Sequence, residues 1–540
     1  MLQCDAATIG FRQDLIGFVH AYPKYLTRRY IIRTVSMQGW RMNSMRSSCT
    51  VWFQTALRVS SILLILQSLA IAQQSLVEQP PTNTSELNER IVGAALARGG
   101  SISFLETLTD TIGGRITGTP ESQRAAELIL KTLREAGFDN AHFEEFSYEI
   151  GWKPGSAAGL VASPVRQPLV IGTYGWAPGT NGRVTVPLAS CTATAGGKCS
   201  ENPAKLRGAA ALVSIEVGAN SFAANYVVLR AGIARYLASV GAAAMMIASD
   251  KPHRMLYTSG AGFYPRAPLP VLSVAKEDSL FLRRLLAKGD VKLELDVQNT
   301  FDPHPAHERN VVADLPGTNP DDVVLLGAHF DSWDPAQGAY DNGAGVAAVL
   351  DAARILKSLG VKPKATIRFV FFSGEEEACL GSRAYIDRHK NQLDHLWAAL
   401  IMDDGAQMPT GFSLHGRNDL ESPLKHTLAA LAPLGANNIL PGGDLFSDDE
   451  SFVVAGVPTM NLSMVEGDYD THHHAITDTF DKVDPLALAM DTAVLAVAAN
   501  AIASADQAPG RRLSHSEVVG LLRKTKQAEY VELDFGRLEP

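Results

Sequence analysis

The sequence predicts an α/β protein whose central sheet is mixed but largely parallel and is flanked by helices. Between Asn310 and about Asp506, strand-like and helix-like patterns alternate along the chain, as they do where parallel strands are joined by helices. This block contains three apolar runs short enough for strands buried on both faces, at 323–328, 365–372 and 397–402. Two helical segments lie between them, at 345–359 and 382–389.

The composition argues against several classes of protein. The chain has 540 residues, of which 46% are hydrophobic and 19% charged, and these proportions argue against a disordered protein. Its length allows two or three domains. The formal net charge of −9, with basic residues scattered along the chain, argues against a nucleic-acid partner.

The N-terminal region contains a targeting signal. Residues 59–72 are apolar but too few to span a bilayer as a stable helix, and Ala70–Ala72 presents the small residues that a signal peptidase recognises. We therefore predict a secretory signal cleaved before Gln73, a periplasmic or secreted protein, and no stable membrane span after cleavage. A buried helix is the alternative. Because a long extension precedes the signal, we expect translation to start near Met42 or Met45.

Changes in sequence texture divide the chain into five predicted segments. These are an N-terminal extension with the signal peptide (1–72), the first segment of the main domain (73–154), an inserted domain (155–300), the second segment of the main domain with its metal site (301–508) and a C-terminal helical tail (509–540). In the insert, Cys191 and Cys199 are eight positions apart, which suits a small disulfide in an oxidising compartment; free thiols are the alternative. An amphipathic stretch of the tail, 514–528, could dock on the core or on a partner.

Chemically demanding residues follow each of the three predicted strands. His329 and Asp331 end the first strand, Gly374–Glu377 follows the second, and Asp403 and Asp404 follow the third. Ligands of open α/β sheets bind beyond the carboxyl ends of the strands, and buried carboxylates are strongly disfavoured unless they are paired or bind a metal. Three such strand ends in succession predict a metal site.

The residue types favour zinc or a similar divalent ion. Imidazole and carboxylate without thiolate is the ligand combination of catalytic rather than structural zinc. We expect Asp331 to accept the other ring N–H of His329 and so to fix its tautomer. Asp341 lies in a flexible loop, Gly338–Gly345, where one carboxylate could span two ions.

Motifs of the second block occur in the order of a known family: 310–317, 327–334, 338–343, 372–382, 447–458, and His474 with Asp478 and Thr479. With these motifs the chain resembles the bridged di-zinc exopeptidases, which include bacterial leucyl aminopeptidases and glutamate carboxypeptidases. The resemblance implies the zinc exopeptidase fold and a protease-associated domain for the insert. It also implies two Zn²⁺ ions per chain, with another divalent ion left open.

The resemblance assigns roles to individual residues. It implies two ligand sets that share one carboxylate: Asp341, Glu376 and His474 for one ion, and Asp341, His329 and Asp403 for the other. Glu375 would be the general base that takes a proton from the metal-bridging water. Asp331 joins Glu375 as a catalytic residue.

The register of Glu375–Glu377 has to be chosen. The family places its Glu-Glu pair six positions before the Gly of a Gly-Ser pair. Gly381 therefore selects Glu375 and Glu376, and leaves Glu377 outside the site.

Two other choices are made between neighbours. Among His472–His474, the spacing to Asp478 selects His474. Asp403 is preferred because it lies directly at the strand end, and Asp404 remains its rival.

These observations predict a metal-dependent exopeptidase that hydrolyses terminal bonds of short peptides or dipeptides. Whether it acts as an aminopeptidase, a carboxypeptidase or a dipeptidase is left open, as is a homodimer. The alternatives are a glutaminyl cyclase-like acyltransferase with one zinc ion and a non-catalytic receptor or scaffold of the same fold.

Overall fold

The computed structural model describes residues 84–215, 223–302, 304–333 and 336–538. The predicted signal peptide, 59–72, and the predicted start near Met42 or Met45 lie outside these residues. The described residues belong to one compact unit, so the predicted boundaries between its segments stay a prediction.

The helices of the described residues are numbered along the chain. They are α1 (Thr84–Arg98), α2 (Ser101–Thr111), α3 (Pro120–Glu135), α4 (Pro203–Leu206), α5 (Ala223–Ser239), α6 (Lys276–Leu286), α7 (Ala344–Ser358), α8 (Glu375–Ala378), α9 (Leu380–His389), α10 (Glu421–Thr427), α11 (Asp449–Val454), α12 (Tyr469–His472), α13 (Pro485–Ala503), α14 (His515–Lys524) and α15 (Ala528–Phe535). Short 3-10 turns occur at Leu393–His395, Asn418–Leu420, Leu428–Leu434 and Phe480–Lys482, and a wider turn at Ala339–Gly343.

The strands are numbered in the same way. They are β1 (His142–Tyr148), β2 (Gly151–Lys153), β3 (Ala157–Ser163), β4 (Gln167–Leu169), β5 (Ile171–Thr173), β6 (Val184–Thr192), β7 (Ala210–Ser214), β8 (Ala244–Ala248), β9 (Val271–Val274), β10 (Lys292–Val297), β11 (Thr300–Asp302), β12 (Ala306–Leu315), β13 (Asn319–His329), β14 (Ala365–Phe372), β15 (Leu396–Ile401), β16 (Pro409–Ser413), β17 (Asn438–Leu440) and β18 (Thr459–Met464).

The main sheet has eight strands in the order β1-β12-β14-β13-β15-β18-β16-β17. The central strands β14, β13, β15 and β18 are parallel neighbours. Antiparallel pairs are β1 with β12, β12 with β14, and β16 with β18, and the edge strand β17 is parallel to β16. The predicted mixed, largely parallel α/β architecture is confirmed. The three predicted strands correspond to β13, β14 and β15, and the two predicted helices to α7 and α9.

Helices cover both faces of the main sheet, which explains the continuous apolar runs of its central strands. On β13, Val324 and Leu326 pack into one hydrophobic cluster together with residues of α7 and α13. The intervening Leu325 packs with Phe452 of α11 on the other face. Burial of one such side chain contributes roughly 1.5–3 kcal/mol, so the strand ends are held by a well-packed core.

Helix α13 is the most apolar element of this core. Among the described residues, Pro485–Ala503 is the one helix long and apolar enough to cross a membrane, with a mean hydropathy of 1.8. In its most apolar window, 83% is buried inside the protein, and α13 packs against α7 and the sheet. It is a core helix.

A second eight-stranded sheet lies within the predicted insert, in the order β4-β3-β10-β6-β7-β8-β9-β5. Strands β6 to β9 are parallel, and the flanking strands are antiparallel. The predicted disulfide between Cys191 and Cys199 is formed. A protease-associated domain stays a prediction for this region.

The C-terminal tail docks on the rest of the protein. Helices α14 and α15 share a hydrophobic cluster with Leu445 and Val453 of the main domain and with Val227 of α5. Ser514 and Glu517 form a capping box at the start of α14, which supplies partners for its first backbone N–H groups. Of the two predicted destinations for the tail, the structure shows the core.

Candidate metal centre

The carboxyl ends of β13, β14 and β15 bring the predicted residues to one edge of the main sheet. His329 is the last residue of β13 and pairs in register with Phe372, the last residue of β14. Glu375 and Glu376 begin the short helix α8 just after β14, and Asp403 follows β15. Parallel strands therefore place three separate sequence motifs side by side, as predicted.

His329 is at the centre of a first cluster. Its Nε2 atom lies 3.0 Å from Asp403 Oδ1, 3.4 Å from Asp341 Oδ1 and 3.8 Å from Glu375 Oε2. Burial opposes a charge on this imidazole, but the carboxylates of Asp403 and Glu375 outweigh burial and hold its pKa well above the usual value. The cluster therefore concentrates negative charge around one buried nitrogen.

His474 is at the centre of a second cluster. Its Nε2 atom lies 3.0 Å from Asp341 Oδ2 and 2.9 Å from Glu376 Oε2. Burial would raise the pKa of Asp341, but hydrogen bonds with His329 and His474 hold it well below the usual value. Asp341 thus directs one carboxylate oxygen to each histidine and connects the two clusters.

The neighbouring histidines differ from His474 in their contacts. His473 Nε2 lies 3.4 Å from Asp341 Oδ2, and its ring centroid is 3.9 Å from that of His474. His472 instead has Nδ1 2.9 Å from Thr477 Oγ1. His473, Asp341 and His474 offer ligand atoms within 4.8 Å of one another. The structure therefore brings His473 to the cluster as well, but only His474 contacts both Asp341 and Glu376.

Asp403 and Asp404 have different surroundings in the structure. Asp403 is half-buried and contacts His329, whereas the side chain of Asp404 is exposed. Both line the same cavity, and only Asp403 is close enough to His329 to share a ligand with it.

Asp331 makes further contacts besides the expected one with the His329 ring. Its side chain accepts hydrogen bonds from Thr117 Oγ1 (3.0 Å) and from the backbone N–H groups of Glu375 (3.3 Å) and Glu376 (3.2 Å). The ring Nδ1 of His329 is 3.1 Å from the main-chain oxygen of Asp331 and 3.6 Å from its carboxylate. The main-chain oxygen therefore fixes the ring, while the carboxylate holds the start of α8.

The three glutamates of α8 occupy different surroundings. Glu375 faces the cavity beside His329, and burial raises its pKa well above the usual value. Burial likewise raises the pKa of Glu376 to about 7. Its Oε1 atom is buried and has no hydrogen-bond partner. Glu377 is buried next to Asp331, and burial and that neighbouring charge raise its pKa.

Two residues that hold the Asp341 loop were not predicted as site residues. The carboxylate of Asp478 accepts hydrogen bonds from the backbone N–H groups of Ala339 (3.0 Å), Tyr340 (2.6 Å) and Asp341 (3.1 Å). Asp478 had been noted only as a spacing marker for His474. Its three contacts are between segments far apart in sequence, so no local pattern could show them.

Arg115 is the second unpredicted residue. It is fully buried, and its guanidinium donates to the main-chain oxygens of Phe330 (2.6 Å), Gln337 (2.6 Å) and Gly338 (2.8 Å). Burial lowers its pKa to about 10. Arg115 therefore ties the end of β13 to the Asp341 loop. At Gly338, where φ is +60°, an added Cβ would lie 2.3 Å from Ser332 Cβ, so glycine is required for this close approach.

A cavity of about 850 Å³ opens over the two clusters. Its lining includes Asp341, Glu375, Asp403 and His474 from the main domain, together with residues that follow strands β7 and β8 of the second sheet and residues of α15. Such a volume accommodates a small organic molecule or a short peptide.

Comparisons with known proteins agree with this geometry. Residues 310–499 match the model of peptidase family M28. Carboxypeptidase Q of Mus musculus is 28% identical over 417 residues, which cover 75% of this chain and 86% of that protein. Aminopeptidase YwaD of Bacillus subtilis is 27% identical over 351 residues, which cover 64% of this chain and 67% of that protein.

Solved structures share the fold. A peptidase M28 precursor from Shewanella amazonensis has a TM-score of 0.72 at 26% identity, covering 80% of this chain and 99% of that chain. BSAP, a zinc aminopeptidase from Bacillus subtilis, has a TM-score of 0.57 at 21% identity, covering 74% of this chain and 93% of that chain. The family match spans the block that contains every residue of both clusters, so over residues 310–499 the chain is similar to peptidase family M28, and its relatives indicate a metal-dependent exopeptidase.

Proposed function

We propose that the protein removes terminal residues from short peptides with the help of two zinc ions that share Asp341. One ion would be held by Asp341, Glu376 and His474, and the other by Asp341, His329 and Asp403. The supporting observation is that Asp341 presents one oxygen 3.4 Å from His329 Nε2 and the other 3.0 Å from His474 Nε2. One carboxylate placed between two imidazoles in this way suits a bridging ligand.

The residues present fit zinc. Imidazole nitrogens and carboxylate oxygens are the donors of catalytic zinc sites. The buried, unpartnered Oε1 of Glu376 is an acceptor that a cation would satisfy. Cys379 is outside both clusters, with its Sγ 3.3 Å from the main-chain oxygen of Ser447. BSAP of Bacillus subtilis, which shares this fold, is a zinc aminopeptidase, and this supports the same choice of metal.

The protein supplies the proton transfer and the orientation of the ligands. Bound zinc lowers the pKa of a water molecule and polarises the scissile carbonyl. Glu375, which is not one of the proposed ligands, is positioned to accept a proton from a nucleophilic water and to deliver it to the leaving amine. The backbone N–H of Glu375 donates to the Asp331 carboxylate at 3.3 Å. This hydrogen bond fixes the position of the Glu375 backbone, from which the side chain extends.

The histidine tautomer also follows from the contacts. With Nδ1–H of His329 donating to the main-chain oxygen of Asp331 at 3.1 Å, Nε2 is the nitrogen that faces Asp341 and Asp403 and that would bind an ion after giving up its proton. This is the tautomer that a metal ligand requires. The ring is fully buried, so it cannot turn away into solvent.

We further propose that the protein is exported. The predicted signal peptide is the main support. The Cys191–Cys199 disulfide suits an oxidising compartment.

Zinc content and hydrolysis by one variant test the proposed function. The zinc-loaded protein should contain two ions per chain by elemental analysis and should cleave short peptides. Glu375→Gln should keep both ions but lower kcat by at least about 100-fold, because the general base is lost. One ion per chain would favour the one-zinc acyltransferase, and none the scaffold.

Glu377→Gln is the matched control for the register of the glutamates. The pKa of Glu377 is raised, so a neutral amide resembles the form that burial favours. This variant should keep most of the activity. Loss of activity in Glu377→Gln with normal turnover in Glu375→Gln would contradict the assignment of the base.

A further inference from the structure

Two basic residues of the predicted insert line the cavity, together with one acidic residue of the insert, Asp250. Lys251 follows β8, and Arg283 lies on α6. Neither basic residue belongs to the proposed metal centre. A substrate in this cavity therefore meets these cationic groups as well as the carboxylates of the two clusters.

Lys251 is the unusual member of this pair. It is only 6% exposed, and its Nζ donates to the main-chain oxygen of Asp470. Among the described residues no carboxylate oxygen is recorded within ion-pairing distance of this ammonium. Three N–H groups of a buried ammonium need acceptors, and a buried charge without a counter-charge is costly.

Arg283 differs in having its donors engaged. Its Nη1 donates to Ser214 Oγ at 2.5 Å and its Nη2 to the main-chain oxygen of Val213 at 3.1 Å. These bonds hold the end of β7. Lys251 is therefore the basic residue of this pair with capacity for an anionic group of a ligand.

One aromatic ring lies near both Lys251 and the proposed metal centre. Its Nζ lies 5.5 Å from the ring centroid of Tyr257, and that ring stacks on His474 with a centroid distance of 5.4 Å. An extended peptide advances about 3.3–3.6 Å per residue. A carboxylate up to about three residues from a carbonyl at the metal centre can therefore reach Lys251.

We propose that Lys251 binds a substrate carboxylate and so selects peptides that present a carboxylate close to the scissile bond. The inference rests on the proposed peptidase function and adds a substrate class to it. The carboxylate can be the C-terminal α-carboxylate of a short peptide or the side chain of an acidic residue. Both supply an oxygen anion that satisfies the free N–H groups of Lys251.

The test compares matched substrate pairs in the zinc-loaded protein. The first pair is a dipeptide of neutral residues and the C-terminal amide of the same dipeptide. The second pair consists of two blocked peptides that are identical except that one contains Glu where the other contains Gln. In the wild-type protein, kcat/KM for the carboxylate member of one pair should exceed that for its neutral partner by about tenfold or more. Lys251→Met should reduce this ratio to near one, mainly through KM. Lys251→Arg should restore part of it.

Lys276→Met is the control, because it removes a positive charge from an exposed residue of the same region. It should leave the ratios unchanged. Zinc content and the unfolding temperature of each variant show that the fold and the metal centre persist. A ratio, unlike total activity, is insensitive to a general loss of folded protein.

The outcomes separate the possible failures. A loss of preference in the acid–amide pair identifies the α-carboxylate, and a loss in the Glu–Gln pair identifies a side chain; either supports the proposal. Peptide hydrolysis with the same ratios in the wild-type protein and Lys251→Met overturns this inference alone. No hydrolysis of any peptide by the zinc-loaded wild-type protein overturns the proposed function and this inference with it.

Discussion

The two large sheets have similar central arrangements but very different strand ends. In each, four adjacent parallel strands are flanked by antiparallel ones, and residues at or after the carboxyl ends border the same cavity. The main sheet ends in His329, Glu375 and Asp403. In the second sheet, β7 ends at Ser214 and β8 at Ala248. Parallel strands create a place for a ligand, and the side chains at their ends decide which chemistry occurs there.

The electrostatics of the two sets of strand ends differ accordingly. Burial raises the pKa of Glu375 and Glu376 at the main sheet, because it outweighs the imidazoles of His329 and His474 beside them. The second sheet brings Lys251 to the cavity instead. We therefore expect substitutions at the main sheet to change metal content, and substitutions at the second sheet to change stability or substrate choice.

The largest effect is expected for His474→Ala. His474 contacts Asp341 at 3.0 Å and Glu376 at 2.9 Å, so its removal takes one of the three proposed ligands from one proposed ion. Zinc content should fall to one ion or fewer per chain, and peptide hydrolysis should be lost. Elemental analysis and a peptidase assay measure both.

His472→Ala is the matched control for His474→Ala. The Nδ1 atom of His472 lies 2.9 Å from Thr477 Oγ1 and has no contact with Asp341. This variant should keep both ions and most of the activity. If His472→Ala lost the metal and His474→Ala kept it, the spacing argument that selected His474 would be wrong.

A smaller effect is expected for Asp478→Asn. The carboxylate accepts three backbone N–H groups of the Asp341 loop, and the amide NH₂ of asparagine cannot accept them. Metal affinity should fall by about 10–100-fold, as for residues that orient metal ligands, and a competing chelator measures this. Asp481→Asn, an exposed carboxylate nearby, should leave the affinity unchanged.

The sequence pointed to the residues of the two clusters better than to the residues that hold them. His329, Glu375 and Asp403 could be found because each lies directly after an apolar run, and parallel strands place such ends together. Asp341 and His474 needed the family resemblance, since both lie in loops without regular periodicity. The contact of His473 with Asp341 depends on the path of the loop, which no spacing defines.

The supporting residues were missed for a physical reason. The guanidinium of Arg115 donates to main-chain oxygens, which every residue possesses, so nothing in the sequence indicates its partners. Asp331 lies beside the His329 ring, but the shorter of its two contacts with that ring is made by its main-chain oxygen, at 3.1 Å, and the longer by its carboxylate, at 3.6 Å. Choices of this kind depend on side-chain rotamers and loop paths, which are set by tertiary packing.

The free energy of unfolding should also depend on pH, because of one carboxyl group on the helix that packs against the main sheet. Asp491 of α13 is fully buried, and neither carboxylate oxygen has a hydrogen-bond partner. Burial and the charge of Asp404 raise its pKa well above the usual value. Below about pH 4 both the folded and the unfolded protein hold this proton. As pH rises, the unfolded state loses the proton first, so the free energy of unfolding falls.

Asp491→Asn should remove this dependence. Above pH 4, the free energy of unfolding of the variant should rise relative to that of the wild-type protein by up to about 1.4 kcal/mol per pH unit. This rise should stop at the pH at which Asp491 ionises in the folded wild-type protein. Denaturant unfolding at pH 5, 6 and 7 measures the difference, in which other titrating groups cancel. A difference independent of pH would mean that Asp491 ionises alike in both states.

The second sheet should respond to loss of its disulfide in stability alone. Cys191 and Cys199 close a loop with a sequence separation of 8, and the chain-entropy model assigns about 2–3 kcal/mol to a loop of this size. Cys191→Ala with Cys199→Ala should lower the free energy of unfolding by that amount. Zinc content and kcat should stay unchanged, because neither cysteine lines the cavity. A loss of zinc in this double variant would show that the second sheet supports the metal centre, and the contrast between the two sheets would no longer hold.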